Sequence, residues 1–251
     1  MNFTDISYWI TDNLYLAAAL AAAVFVSLAG IVYALIRFVP RQAVLILLLN
    51  LLLHFLTYLL PRMLPINYTY HDMTCVLDKR TPFFAPMITI YVLAFLQWAL
   101  YWIFLGRESN ELRSRYLAGE WISKFLCMLI FVIYPTTLVR PPITGNGVFE
   151  RLTALIYLVD APNNLFPSVH CLTSWFCLRS AFRFRCSPKW YRIFSLIFTP
   201  LVFLSTIMVK QHVWADVPSA VLVAEIGLFL AKRTGLDSVL QKWENALSKK
   251  A

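Results

Sequence analysis

The chain has 251 residues, 60% of them hydrophobic and 14% charged, and a net charge of +9. Soluble domains carry about 45–50% apolar and about 25% charged residues, so a compact soluble domain is excluded: its core could not hide this much apolar surface. The positive charge does not mark a nucleic-acid binder, because Lys and Arg sit in short clusters between apolar runs, with no basic stripe interleaved with aromatics.

A helix crossing the hydrocarbon core needs about 20 mostly apolar residues. Seven candidate spans follow in chain order. The first, Leu14–Leu35, lacks a preceding basic region and a small-residue cleavage site, so it reads as a retained span rather than a secretory signal. Ala43–Leu60 carries His54, and Pro86–Leu105 follows a loop containing His71. Trp121–Leu138 leads into the Val139–Pro167 loop. Ser168–Phe182, Tyr191–Val209 and Val213–Leu230 complete the set, the last two joined by the tight link Lys210–His212. With no repeat or low-complexity segment, residues 1–251 read as one all-α, polytopic transmembrane bundle.

With the N-terminus outside, only Arg62, Lys79, Arg80, Arg140, Arg151 and Lys210 remain on the outer side, and the rest of the 22 Lys and Arg fall inside. The positive-inside rule therefore sets the N-terminus out and the C-terminus in. The Val139–Pro167 loop and the Lys210–His212 link both face outward. Lys124 counts with the inner basic residues.

The five cysteines show neither metal-ligand spacing nor a disulfide framework. Of the four histidines, His54 and His71 read as packed or surface residues. His170 differs, because it ends Asn163-Asn164-Leu165-Phe166-Pro167-Ser168-Val169-His170 just before an apolar run. Proline at a helix start with a capping asparagine puts Ser168, Val169 and His170 in the first turn, where free N–H groups make an anion site and the Ser168 hydroxyl adds a donor. His212 opens the last span four residues before Asp216, so on a helix the carboxylate reaches the ring, fixes its tautomer and leaves the other nitrogen as nucleophile or base. Arg140, stiffened by Pro141 and Pro142, offers a guanidinium fork suited to phosphate.

These segments, in this order, resemble the type 2 phosphatidic acid phosphatase superfamily, whose three blocks read K-x6-RP, PSGH and SR-x5-H-x3-D. Here they are Arg140-Pro141, then Pro167-Ser168-Val169-His170, then Ser205-Thr206 with His212 and Asp216 at the matching spacing. The resemblance is anchored in residues 133–216. It implies that His212 takes the phosphoryl group, that Asp216 orients it, and that His170 protonates the leaving oxygen. It further implies that Arg140, Ser168 and the backbone at Val169 hold the phosphoryl oxygens, with no metal or other cofactor.

Two positions depart from the pattern: Ile133 stands where the family has lysine, and Thr206 where it has arginine. Lys210 is one replacement for the lost charge, Tyr134 is a source of a hydroxyl, and Lys210 and Thr206 count with Arg140, Ser168 and Val169 as the expected phosphate-binding residues. Similar gaps mark the branch resembling inositol phosphorylceramide synthase, which this chain's Asp160, Asn164 and Lys210-Gln211-His212 also suggest. The leading expectation is a lipid phosphatase of the cell membrane, acting at the outer face on a phosphorylated lipid. The alternatives are a headgroup phosphotransferase, a transporter with a His–Asp proton relay, and a non-catalytic family member.

Overall fold

The computed structural model describes Val26 and residues 29–248. Most of the Leu14–Leu35 candidate span, the N-terminal end of the orientation argument, and Lys249 and Lys250 lie outside the described residues. Helices dominate: α1 (Ala29–Phe38), α2 (Arg41–Met63), α3 (Val76–Arg80), α4 (Ile88–Arg107), α5 (Asn110–Ile133), α6 (Val148–Val159), α7 (Val169–Arg183), α8 (Lys189–Met208), α9 (Asp216–Arg233) and α10 (Leu236–Ser248). The helical expectation needs one small correction. Two short strands, β1 (His71–Asp72) and β2 (Thr136–Thr137), pair in parallel, His71 with Thr136 and Asp72 with Thr137.

Four helices are long and apolar enough to cross a membrane: α2, α4 with its preceding turn from Ala85, α5 and α8. Helix α7 has 15 residues, and α9 carries Asp216, Glu225, Lys232 and Arg233 within its 18, so both fall short of that measure.

The sequence boundaries shift where local chemistry acts. Helix α5 starts at Asn110 rather than Trp121 because Ser109 caps it, accepting from the Leu112 N–H at 3.4 Å. It stops at Ile133 rather than Leu138 because Tyr134 precedes Pro135, and a residue before proline avoids the helical region. Lys124 is therefore not an inner-loop cation. It lies within α5, fully buried, with Nζ 2.7 Å from Glu120 Oε2 and 3.1 Å from Asn50 Oδ1 of α2. Asn50 also donates to Glu120 Oε2 at 2.9 Å. Charges in a low-dielectric bundle persist when paired and hydrogen-bonded, and this cluster joins α2 to α5.

Three helices stand where loops or a tail were expected, the shortest being α3 in the loop before α4. Helix α6 occupies part of the Val139–Pro167 loop, and α10 returns along α5, where Arg113 Nε donates to Glu244 Oε2 at 3.0 Å and Asn110 Nδ2 to Asn245 Oδ1 at 2.7 Å.

Helices α5 and α9 cross in close backbone contact. A Cβ on Gly227 would lie 2.4 Å from the Gly119 carbonyl oxygen, and one on Gly119 would lie 3.3 Å from Leu228 Cα. Ser123 Oγ donates across the same contact to Val223 O at 3.1 Å. Small residues let backbones approach where lipid gives no hydrophobic drive to associate. Helix α7 packs among α4, α8 and α9. Trp98 Nε1 donates to Ser174 Oγ at 3.1 Å, and Gln97 Nε2 to Thr199 Oγ1 at 2.8 Å. Each bond satisfies a polar group that lipid cannot.

Gly227→Ala should lower stability by about 1–3 kcal/mol, the range for overpacking a tight core. Thermal unfolding in detergent checks this, and an unchanged midpoint would show that α5 and α9 separate freely.

Candidate functional site

One end of the bundle gathers the α5–α6 connection, the α6–α7 loop, the α8–α9 turn and α3. The turn is tight. After α8 ends, Lys210 adopts φ 53°, and the N–H groups of Gln211 and His212 both donate to Thr206 O at 3.0 Å. Left-handed backbone is uncommon for a side-chain-bearing residue, and here it reverses the chain so that His212 lines the interior of the site.

His212 precedes α9 rather than riding on it, so the pairing with Asp216 does not come from a shared helical face. Asp216 is the first residue of α9, fully buried, and its Oδ2 lies 2.9 Å from His212 Nδ1 and 3.1 Å from the Val213 N–H. The carboxylate thus closes a capping turn and holds the imidazole together. With Nδ1–H directed at Asp216, the lone pair on Nε2 is left for chemistry.

His170 enters from the first turn of α7, its ring centroid 6.3 Å from that of His212. Tyr91 stacks on it at 4.3 Å, while Trp98 and Phe95 flank it at 5.0 and 5.8 Å. Its Nε2 is buried with no hydrogen-bond partner. Ser168 is the helix cap, not a first-turn donor. It is fully buried, and its Oγ accepts from the Cys171 N–H at 3.3 Å. Val169 lines the cavity beside His170.

Both histidines face a cavity of about 290 Å³. Its walls come from α2 (His54, Phe55, Tyr58, Leu59), α4 (Tyr91, Phe95, Trp98), the end of α6 (Ile156, Val159, Asp160), the following loop, and Gln211. The wall is mostly apolar. At its rim Phe55, Leu59 and Phe95 are exposed, on two helices long enough to cross a membrane. A few polar atoms interrupt it: Gln211 Nε2, Asn163 Oδ1 and His54 Nδ1 are buried without partners. A concave apolar site with a few convergent polar groups is how ligand pockets are built.

Arg140 braces this site from behind. Its Nη1 donates to Asp160 O at 2.6 Å and Tyr157 O at 3.3 Å, its Nη2 to Gln211 Oε1, and its guanidinium lies over the Tyr157 ring at 4.5 Å. Burial lowers its pKa to about 10, so it stays charged at neutral pH. A second arginine stands at the mouth. Arg62 Nη2 lies 3.3 Å from Asp160 Oδ1 and donates to Ala161 O at 3.0 Å, and Tyr58 OH also donates to Asp160 Oδ1. Burial pushes the Asp160 carboxyl up to about 7 and His212 opposes that rise; the Arg62 ion pair also favours its charged form.

Like Arg140 and Ser168, two further sequence-predicted phosphate ligands are engaged elsewhere. Lys210 Nζ donates to the carbonyls of Asp78 and Thr81 at 2.9 and 2.6 Å, tying α3 to the α8–α9 turn. Thr206 is fully buried, its hydroxyl donates to Phe203 O at 2.8 Å, and its carbonyl supports the His212 turn. Tyr134 stacks on His71 at 4.4 Å, and Ile133 is 77% exposed, so neither lines the cavity. The departure at Ile133 therefore removes nothing from this wall.

Sequence reasoning missed Tyr58 and Arg62, and it set His54 aside as packed. Their signal was present: His54, Tyr58 and Arg62 recur every four residues along one helical face in an otherwise apolar run. It also missed Thr136, whose buried hydroxyl accepts from the N–H groups of Leu165 and Phe166 at 3.1 and 2.9 Å and so holds the segment leading to His170. Among the described residues, no group of three or more His, Cys, Asp and Glu side chains is placed to hold a metal ion.

Comparison of the chain with protein-family models, with curated proteins and with solved structures found no match in any of the three.

Thr136→Val should cost about 1–3 kcal/mol, because two N–H groups would lose their shared acceptor. Hydrogen exchange at Leu165 and Phe166 should speed up. Unaltered exchange at both amides would remove Thr136 from this role.

Proposed function

We propose that this chain is an integral membrane phosphatase that releases phosphate from a phosphorylated lipid through a phosphohistidine at His212. The observation that carries this reading is the His212–Asp216 pair, 2.9 Å apart, facing His170 across one largely apolar cavity. The resemblance of the three sequence blocks to the type 2 phosphatidic acid phosphatase superfamily supports the same reading.

In the first step the lone pair on His212 Nε2 attacks phosphorus. The N–P bond forms as the bond to the lipid oxygen breaks, and that oxygen takes a proton from His170. Asp216 stabilises the positive charge that develops on the His212 ring. In the second step His170 accepts a proton from water, whose oxygen attacks phosphorus. The N–P bond breaks, inorganic phosphate departs, and His212 returns to its starting form. The apolar rim of Phe55, Leu59 and Phe95 suits an acyl or prenyl chain, and the polar groups near His212 suit the phosphate.

Headgroup transfer to an alcohol would share the first step and replace water in the second. Asp160 and Asn163 at the mouth are suited to receive hydroxyl groups, and this favours transfer as the second reading. In either case we assign the site to the outer face of the cell membrane, following the distribution of Lys and Arg.

The test is phosphate release by purified protein in detergent with a chelator present, using phosphatidate, phosphatidylglycerol phosphate, polyprenyl diphosphate and phosphosphingolipids. Wild type should release phosphate, His212→Ala should not, and Asp216→Asn should fall on the order of 10²-fold or more in kcat. Release by His212→Ala equal to wild type would sink the proposal. No release, with transfer to added alcohols, would establish the second reading. Sidedness is read from exposed Cys75, on the site end of the chain: an impermeant maleimide should label it in intact cells, and labelling only after lysis would reverse the orientation.

A further inference from the structure

The opposite end of the bundle carries a second concentration of chemistry that the phosphatase reading does not use. Helices α7 and α9 begin at the histidine site and run away from it, while α5 runs toward it. Over the 15 residues of α7 the rise is about 21 Å. At the far end two adjoining cavities, of about 240 and 390 Å³, share Arg115 of α5. Arg179 and Arg183 of α7 line the first, and Lys232 and Arg233 of α9 line the second.

Three features separate this cluster from the scattered cations that any membrane protein carries on one side. First, the five cations come from three different helices and converge on two contiguous hollows. Second, they are nearly uncompensated. Among the described residues, only Arg179 of the five has an acidic partner, with Nε 2.7 Å from Glu225 Oε1. Glu225 is also engaged by Trp175 Nε1 at 2.8 Å, so it has little left to offer the others. Third, the hollows have an apolar border. Phe229 lines the second cavity at 60% exposure, and Leu112, Tyr116 and Leu228 line the first. Converging cations with an apolar flank at the end of a membrane-crossing bundle match an amphiphile with a phosphate head and hydrocarbon tails.

We propose that this cluster binds the phosphate headgroup of an anionic phospholipid from the leaflet facing that end, with the lipid chains lying along Phe229. Arg115 sits between the two hollows and contacts the phosphate from both. Arg183, Lys232 and Arg233 surround it at the exposed edge. The lipid is bound and not consumed, and the site is independent of the His212 chemistry. It joins α5, α7 and α9 at the end where hydrogen bonds to the catalytic turn cannot reach.

The experiment titrates purified protein in detergent with phosphatidylglycerol, phosphatidylcholine or inorganic phosphate, and reads bound lipid by native mass spectrometry alongside the unfolding temperature. Wild type should retain phosphatidylglycerol and unfold at a higher temperature with it, while phosphatidylcholine and inorganic phosphate leave it unchanged. The triple variant Arg183→Gln/Lys232→Gln/Arg233→Gln should bind phosphatidylglycerol more than about tenfold more weakly. A control variant, Arg185→Gln/Lys189→Gln, removes two exposed cations at the same end outside the hollows and should bind like wild type. Equal losses in the two variants would show diffuse charge and overturn the site. Equal stabilisation by inorganic phosphate would mean a free-anion site, and equal retention of phosphatidylcholine would mean no headgroup recognition; either overturns the lipid assignment.

Discussion

The backbone contact between α5 and α9 is the constraint on which both ends of this molecule depend. Gly119 and Gly227 bring the two helices so close that a single added carbon has nowhere to go, and Ser123 bonds across the gap. Helix α9 starts with Asp216, and α5 leads into Thr136 and Arg140. Fixing one helix against the other therefore fixes the carboxylate that holds His212 relative to the hydroxyl that holds the segment before His170. The same contact brings Arg115 beside Lys232 and Arg233 at the other end. In lipid, where apolar surfaces gain little by meeting, close backbone packing and interhelical hydrogen bonds carry such alignment.

The histidine site is built by satisfying backbone groups. Asp216 accepts from a backbone N–H as well as from the imidazole, Arg140 donates to two backbone carbonyls, and Lys210 ties down two more. Several ionisable groups that look like ligands in sequence are thus structural cations that hold irregular backbone in place. Irregular backbone that is buried needs such partners, because an unpaired N–H or C=O away from water is costly. The polar side chains that line the cavity include His212, His170, His54, Gln211, Asn163, Asn164 and Asp160, the last held by Arg62 and Tyr58. A low-dielectric wall strengthens the electrostatic interactions these groups make with one another.

Charge is divided unevenly along the bundle. At the histidine end, Arg62 and Arg140 are each held by oxygen atoms of the protein. At the other end, Arg115, Arg183, Lys232 and Arg233 face open hollows. The buried Glu120–Lys124 pair adds no net charge and links α2 to α5. One end is therefore organised for positioning, and the other for attracting anions from its surroundings.

Composition and hydropathy alone determined that this is a helical membrane protein, because 60% hydrophobic residues cannot be hidden in a soluble core of this length. Spacing alone also picked out His170, His212 and Asp216, since a carboxylate four residues from a histidine and a proline-led helix start are local patterns. Other features were beyond it. The helix boundaries at Asn110 and Asp216, the short α6, and the burial of Lys124 against Glu120 all depend on caps and partners distant in sequence. Which cations face a cavity and which brace backbone was equally illegible: Lys210 and Lys232 are the same residue type, and only the Asp78 and Thr81 carbonyls that α3 brings to Lys210 separate them. The tertiary structure decided this, because a cation's role follows from which oxygen atoms the fold brings within its reach.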